Sequence, residues 1–517
     1  MKKFKKAGLK GLAAVLSLAM LLGAAACGSG KMSAESGESS SDTVIASGQT
    51  KIKVANFGGG AGRKWLDEAA ARFAERVKDV SYEEGKKGVE FDVTSTTGIT
   101  CKEMRTKGYD VFFVQSKYAD CYAEINTGSV LDITDIVAEE DLSEYGEPGV
   151  TIESKIDENY RFAMQGLDGK YYMLPHVQTQ SGAYYDVDMF TEKGFYLAKA
   201  GEGTAYNCAL TGATYYFTGE AGEKTVGNDG VSGTDDDGMP TTLDELVAMC
   251  DHISDANVFP LHVSGKHIDY VNYLVEGLWT ALAGYEERCA VASHQGAVNY
   301  VVGYSDEDIW SGTGIKYPII EKATLSGSEE GYKAINSAAR YYAYAFVELA
   351  YQQGWFYDRY QDSSYTDRDA ISKFILNGIN GIPELGCIME CSYWYNEAET
   401  YGAFYDYAIL SGTGSKDKKI AYWHMPTAYG KGAEAVTGEA NRREETAIDG
   451  MTSTAMINGN VAKNAGLERA CKDFLKFLST DKELENFTAC NGVVKAMFDY
   501  QISDSVLSQL SSYHQTI

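Results

Sequence analysis

Proline is scarce in this chain, 7 among 517 residues, and histidine is no commoner at 7. Together with only 54 glycines, this excludes a collagen-like or proline-rich low-complexity chain. Basic side chains are outnumbered: 46 Lys and Arg against 73 Asp and Glu leave a formal charge of −27. A surface of that sign repels phosphates, so the chain is not a general nucleic-acid binder. It does not dock electrostatically on anionic lipid headgroups either. After the N-terminal leader no stretch approaches the ~18 uncharged apolar residues of a membrane span. Apolar and aromatic residues are plentiful: 44% hydrophobic, with 37 Tyr, 19 Phe and 6 Trp. That supply builds full cores, and the length suits about three domains or two large lobes.

The first 27 residues read as a leader. Lys2, Lys3, Lys5, Lys6 and Lys10 form a basic start, and Gly11 to Ala26 is an uncharged apolar stretch. It is too short for a span of about 20 residues, so it reads as a signal peptide. Ala24-Ala25-Ala26-Cys27 resembles a bacterial lipobox, with Ala24 where Leu is usual. The resemblance implies that Cys27 becomes the lipidated first residue, anchoring the chain at the extracellular face of the cell membrane. Ordinary cleavage with a free Cys27 is the alternative. Residues 28–50 are rich in Ser, Gly and Glu without an aromatic. They cannot offset their ordering entropy by burial and read as a disordered tether. Nine cysteines remain, an odd number whose spacing matches no small disulfide scaffold. Most read as small buried apolar residues.

The periodicities are those of an α/β chain. Lys51–Phe57 alternates as a strand, and the run Gly58-Gly59-Gly60-Ala61-Gly62 follows. Trp65, Ala69, Phe73 and Val77 then recur in steps of four, one apolar helix face. Val89–Thr94 reads as a strand, and Tyr109–Val114 as a strand buried on both faces. This alternation predicts a mainly parallel sheet. Strand-like runs at 170–175 and 183–186 flank the polar patch Gln178-Thr179-Gln180-Ser181. Residues 196–240 read as an irregular insertion. Helices are expected at Leu243–Ile253, Tyr270–Leu282, Tyr332–Gln353 and around Leu467–Leu478.

Several familiar chemistries are missing. The glycine run fits neither a phosphate loop nor a dinucleotide fingerprint. No Gly-x-Ser-x-Gly and no His-Glu-x-x-His occurs. What remains is a glycine turn whose backbone N–H groups can approach a ligand's oxygens. The acidic segment 228–238, with Asp229, Asp235 and Asp237, offers oxygen ligands suited to a structural calcium, without EF-hand spacing. A solvated acidic loop is the plainer reading. Tyr393-Trp394-Tyr395-Asn396-Glu397, Asp269-Tyr270-Val271-Asn272-Tyr273 and the Gln178–Ser181 patch combine rings with planar polar groups. Sugars present apolar C–H faces and hydroxyls, so this mixture favours a polyhydroxylated ligand.

Five motifs in order resemble the family 1 extracellular solute-binding proteins, the sugar-binding lipoproteins of ABC importers. They are Gly58–Gly60 with Trp65–Phe73; Tyr109–Phe113 with Gly128–Thr134; Asp168–Pro175 through Phe190; Gly386–Glu397; and Ala470–Leu478. The resemblance implies an α/β, two-lobed periplasmic-binding-protein-like (type II) fold with a hinge of crossing strands. Residues 51–175 plus 426–482 would form one lobe, and 176–425 plus 483–517 the other. The crossings would fall near Leu174–Ser181, Trp423–Pro426 and residue 482. It implies a non-enzymatic receptor without a cofactor. Such a receptor captures a sugar or oligosaccharide and delivers it to permease transmembrane subunits. A lipid-anchored glycoside hydrolase and a surface sensor or adhesin are the alternatives. Carried over motif by motif, the ligand would meet Gly59, Gly60, Gln115, Ser116, Gln178, Thr179, Gln180, Tyr393 and Trp394. Tyr270 and Tyr273 are placed by position alone. The family often has Gly before Ser-Trp-Trp; here Cys391-Ser392-Tyr393-Trp394 stands instead.

Overall fold

Ile52 and Val54 are fully buried while Lys51 and Lys53 face solvent, the alternation that makes the first strand. In this computed structural model the described residues are 48–116, 118–219, 222–430, 447–449 and 453–516. The leader, Cys27 and most of the tether lie outside the described residues. The tether's last residue, Thr50, is buried and already opens the first strand.

In chain order the first elements are β1 (Thr50–Phe57), α1 (Lys64–Arg76), β2 (Val89–Thr96), β3 (Val111–Gln115), β4 (Leu174–Pro175) and β5 (Thr179–Asp186). Then come β6 (Tyr196–Leu197), β7 (Thr204–Cys208), β8 (Ala213–Thr218), α2 (Leu243–Asp255), α3 (Val271–Ser293), β9 (Gly296–Asp308), β10 (Lys316–Leu325) and α4 (Ala338–Gln353). The last are α5 (Asp367–Ile375), β11 (Cys387–Cys391), α6 (Trp394–Tyr401), β12 (Ile420–Tyr422), β13 (Ala447–Asp449), β14 (Ser453–Ile457), α7 (Ala465–Leu478) and α8 (Asp481–Asn491).

Two principal sheets carry two cores. The first sheet runs β2-β1-β3-β14-β4. β1 is parallel to β2 and β3, whereas β14 is antiparallel to β3 and β4. Its core takes Trp65, Leu66 and Phe73 of α1, Phe112 of β3 and Phe474 of α7. The second sheet is built on β5, which pairs antiparallel with β11, β12 and β13. The expectation of a mainly parallel sheet therefore holds for β1–β3 and fails for the second sheet. There the strands come from distant parts of the chain and need no βαβ crossover. Residues 196–240 are more regular than expected: β6, β8 and β7 form a small antiparallel sheet.

The chain leaves the first sheet at Pro175 and enters the second at Thr179. The His176 amide donates to the Ser453 carbonyl at 3.0 Å, and the Gln178 amide to the Val494 carbonyl at 3.0 Å. The return is later than expected. Trp423, Met425 and Tyr429 pack in the second sheet's core, and β13 still pairs with β5 before β14 joins the first sheet. The last crossing is later too. Leu484, Phe487, Val493 and Phe498 pack in the first core, and Tyr513 reaches the core beside β5. Apolar residues at 423–429 and 484–498 could have served either core; tertiary packing decides. Among the described residues no helix is long and apolar enough to cross a membrane. The nine described cysteines are unpaired, and seven of them are buried.

Candidate functional site

The glycine run forms a tight turn between β1 and α1. The Gly58 amide donates to the Thr96 carbonyl at 3.2 Å, and the Gly62 amide to the Gly59 carbonyl at 3.2 Å. Gly60 holds φ at +61°, a conformation costly for any residue with a Cβ. Buried Asn56 donates its amide to the Gly62 carbonyl at 3.0 Å, and the Trp65 indole N–H reaches the same carbonyl at 3.2 Å. The turn is thus fixed by its own strand and helix.

Across from it stands the segment that starts α6. A Cβ on Gly60 would lie 3.4 Å from the Tyr393 ring. One on Gly59 would lie 2.8 Å from the Phe57 ring and 3.1 Å from Glu397 Oε1. The Gly60 amide donates to Glu397 Oε1 at 3.1 Å. Between these walls is a small cleft lined by Phe57, Gly59, Gly60, Gln115, His176, Thr179 and Tyr393, with Ser453 closing one side. Its enclosed space is about 20 Å³, room for roughly one water. A sugar enters only if the walls separate.

The structure gathers Gly59, Gly60, Gln115, Thr179 and Tyr393 around one cleft. Ser116 is elsewhere: it is buried, and its hydroxyl accepts from the Cys101 amide at 3.1 Å. Gln178 and Gln180 are half-buried in the crossing segment and do not line the cleft, and the Gln180 amide donates to Ser392 Oγ at 3.1 Å. Trp394 is a correction. It is 0% exposed and packs on Phe374, Tyr184, Tyr395 and Tyr513 at centroid distances of 5.7–6.2 Å. A ring so enclosed has no face to offer a ligand. Tyr393 is the last residue before the helix and Trp394 the first within it, so the two rings part company.

Tyr270 and Tyr273, at the start of α3, stand behind Tyr393. Tyr270 stacks on His267 at 5.2 Å and lies 4.9 Å from Tyr273. Burial, and then the neighbouring Cys391, Tyr273, Glu390 and Tyr270, hold the Tyr393 phenol well above its ordinary range. Sequence reasoning carried Glu397 only as part of the ring motif and missed Glu390. Burial pushes the carboxyl of each up, and Asp367 raises both further. Glu390 did leave a signal: one charge inside the apolar strand Cys387-Ile388-Met389-Glu390-Cys391. Lys495 was missed too. Its Nζ donates to His176 Nδ1 at 2.7 Å, and it sits over the rings of Trp65 and Phe487. Burial pushes its amine down to about 7 and holds His176 well below the usual imidazole range.

The carboxylates of the acidic loop make local contacts. Asp229 Oδ1 accepts from the Val231 amide at 2.7 Å, and Asp237 Oδ2 from the Gly233 amide at 2.7 Å. Asp235 faces His424 at 3.6 Å, which lowers its carboxyl. Among the described residues no three His, Cys, Asp or Glu side chains converge as a metal requires. A larger hollow of about 500 Å³ lies beside β7 and β8, lined by Lys193, Thr204, Phe217 and His252. Its Phe217 and His252 rings stack on each other at 4.3 Å, and none of the expected residues lines it.

No family model matches the chain, and no curated protein matches it. Among solved structures, the chain is similar to a chitin oligosaccharide binding protein at 15% identity, covering 90% of this chain and 85% of that one, with a TM-score of 0.51. It also matches SBP RafE in complex with raffinose at 13% identity, covering 90% and 87%, with a TM-score of 0.48. A sugar transporter from Bacillus licheniformis in complex with stachyose matches at 12% identity, covering 89% and 86%, with a TM-score of 0.46. The first of these shows a shared fold, the two-lobed α/β fold of solute-binding proteins.

Proposed function

We propose that this chain is the sugar- or oligosaccharide-capturing receptor of an ABC importer, a family 1 extracellular solute-binding protein. One observation carries the reading. The glycine turn, Gln115, Thr179 and Tyr393 meet in one cleft where the chain passes from the first sheet to the second. The fold, shared with a chitin oligosaccharide binding protein, supports it. The ligand enters between the walls, exchanges the Gly60–Glu397 contact for its own hydroxyls, and presents a C–H face to Tyr393. Closure is then driven by the ligand's higher affinity for the closed arrangement. The closed form docks on permease transmembrane subunits, and the ligand leaves unaltered, without enzymatic turnover. Cys27 carries the lipid that holds the receptor at the outer face of the membrane.

A thermal-shift screen of the mature chain over a glycan panel tests this. A ligand at 100 times its dissociation constant adds about 2.7 kcal/mol of stability, and chromatography should recover it intact. A panel without a stabilising glycan, or cleavage of the best one, would contradict the proposal.

A further inference from the structure

Three carboxylates stand behind Tyr393, and among the described residues none of them pairs with a Lys or Arg side chain. Glu390 on β11 is 3% exposed. Its one favourable neighbour is the Cys391 amide; among the described residues no side chain donates to it and no Lys, Arg or His pairs with it. Glu397 from α6 and Asp367 from the start of α5 add like charge. A buried carboxylate facing two others is costly unless something positive joins them. Glu397 has the Gly60 amide, and Asp367 Oδ2 has His267 Nε2 at 3.5 Å. Asp367 Oδ1 is buried without a hydrogen-bond partner. Rings complete the surroundings. Tyr270, Tyr273 and Tyr393 all lie within electrostatic reach of Glu390.

Ring faces and carboxylates that no Lys or Arg among the described residues neutralises favour the same guest, a cation. The carboxylates do not converge on one point as metal ligands do, which suits a charge carried on a bulky organic group. A neutral sugar hydroxyl can donate to one carboxylate, yet it leaves the repulsion among the three in place. Resting on the receptor reading, we propose that the ligand is an oligosaccharide bearing a protonated amine, its ammonium among Glu390, Glu397 and Asp367 and its ring against Tyr393. The chain's charge of −27 draws such a ligand in. Burial, and then the neighbouring Glu397 and Asp367, push the Glu390 carboxyl up. An ammonium favours the ionised carboxylate, so affinity rises with pH through the raised carboxyl range while the amine stays charged.

Titration calorimetry on the full mature chain tests this with three trisaccharides of one linkage: the β-1,4 glucosamine trimer, its N-acetylated form and cellotriose. The amine trimer should bind at least about tenfold tighter than either neutral trimer. Its affinity should fall severalfold from about 0.05 to 0.5 M salt, and buffers of different ionisation enthalpy should report proton release. Glu390→Gln should shrink the preference. Asp367→Asn, at a partly exposed position, should do so without endangering the fold. Equal or tighter binding of the neutral trimers would overturn the charge assignment and leave the receptor reading standing. So would failure of all three trimers while another neutral glycan binds. Failure of every glycan would sink both.

Discussion

The glycine wall of the cleft and the ring wall facing it are made of different materials. The first is one strand, one turn and one helix start, residues 56–65, held by Asn56 and Trp65 and presenting backbone N–H groups. The second presents Tyr393 and Glu397 from the start of α6 and is backed by residues of α3, α5 and β11. A local wall is set by its own sequence. An assembled wall is set by packing, and neighbours in sequence can serve opposite ends, as Tyr393 and Trp394 do.

The largest expected effect separates that pair. Trp394→Ala should cost about 3–5 kcal/mol in urea unfolding while the folded remainder still binds the best glycan. Tyr393→Ala should cost less stability and weaken binding far more. Equal binding losses would erase the distinction between the two rings. Next comes the buried amine under the crossing segment. Lys495 is held at about 7 against an ordinary 10.5, so across that window the unfolded chain binds the extra proton. Wild-type stability therefore rises from about pH 7 to 10, and the cost of burying the charge is full below 7. Lys495→Met, which also gives up the bond to His176, should stabilise the protein by about 2 kcal/mol near pH 6 and by nothing near pH 10. A gain that ignores pH would contradict this account of Lys495.

A smaller effect probes the local wall. Gly60→Ala should cost about 1 kcal/mol from its backbone conformation and, by putting a methyl into the cleft against Tyr393, weaken glycan binding severalfold. Gly128→Ala, at φ +72° with open space around it and outside the cleft, should cost similar stability and leave binding alone. The smallest effect concerns the acidic loop at 228–238: removing divalent ions with EDTA should leave its neighbourhood's melting transition where it was.

Legibility followed the same division. The glycine turn, α1, β3 and α7 were readable because each rests on a local pattern: alternation, a four-residue step, a continuous apolar run. The antiparallel second sheet was not, since β5 finds its partners more than 200 residues away. Of the expected residues, Gly59, Gly60, Gln115, Thr179 and Tyr393 come together at one cleft, a placement readable by position. Ser116 and Trp394 do not, because alternation on a strand and phase on a helix decide which neighbour faces inward. Lys495 escaped because a buried charge is visible only once its surroundings are known, whereas Glu390 left the trace of one charge in an apolar strand.

Hydrogen–deuterium exchange of the full chain, with and without the best glycan, tests the two-walled receptor most directly. Protection should appear together at residues 57–62 and 391–397. Protection on one of these segments alone, or beside β7 and β8 instead, would contradict a ligand held between the walls.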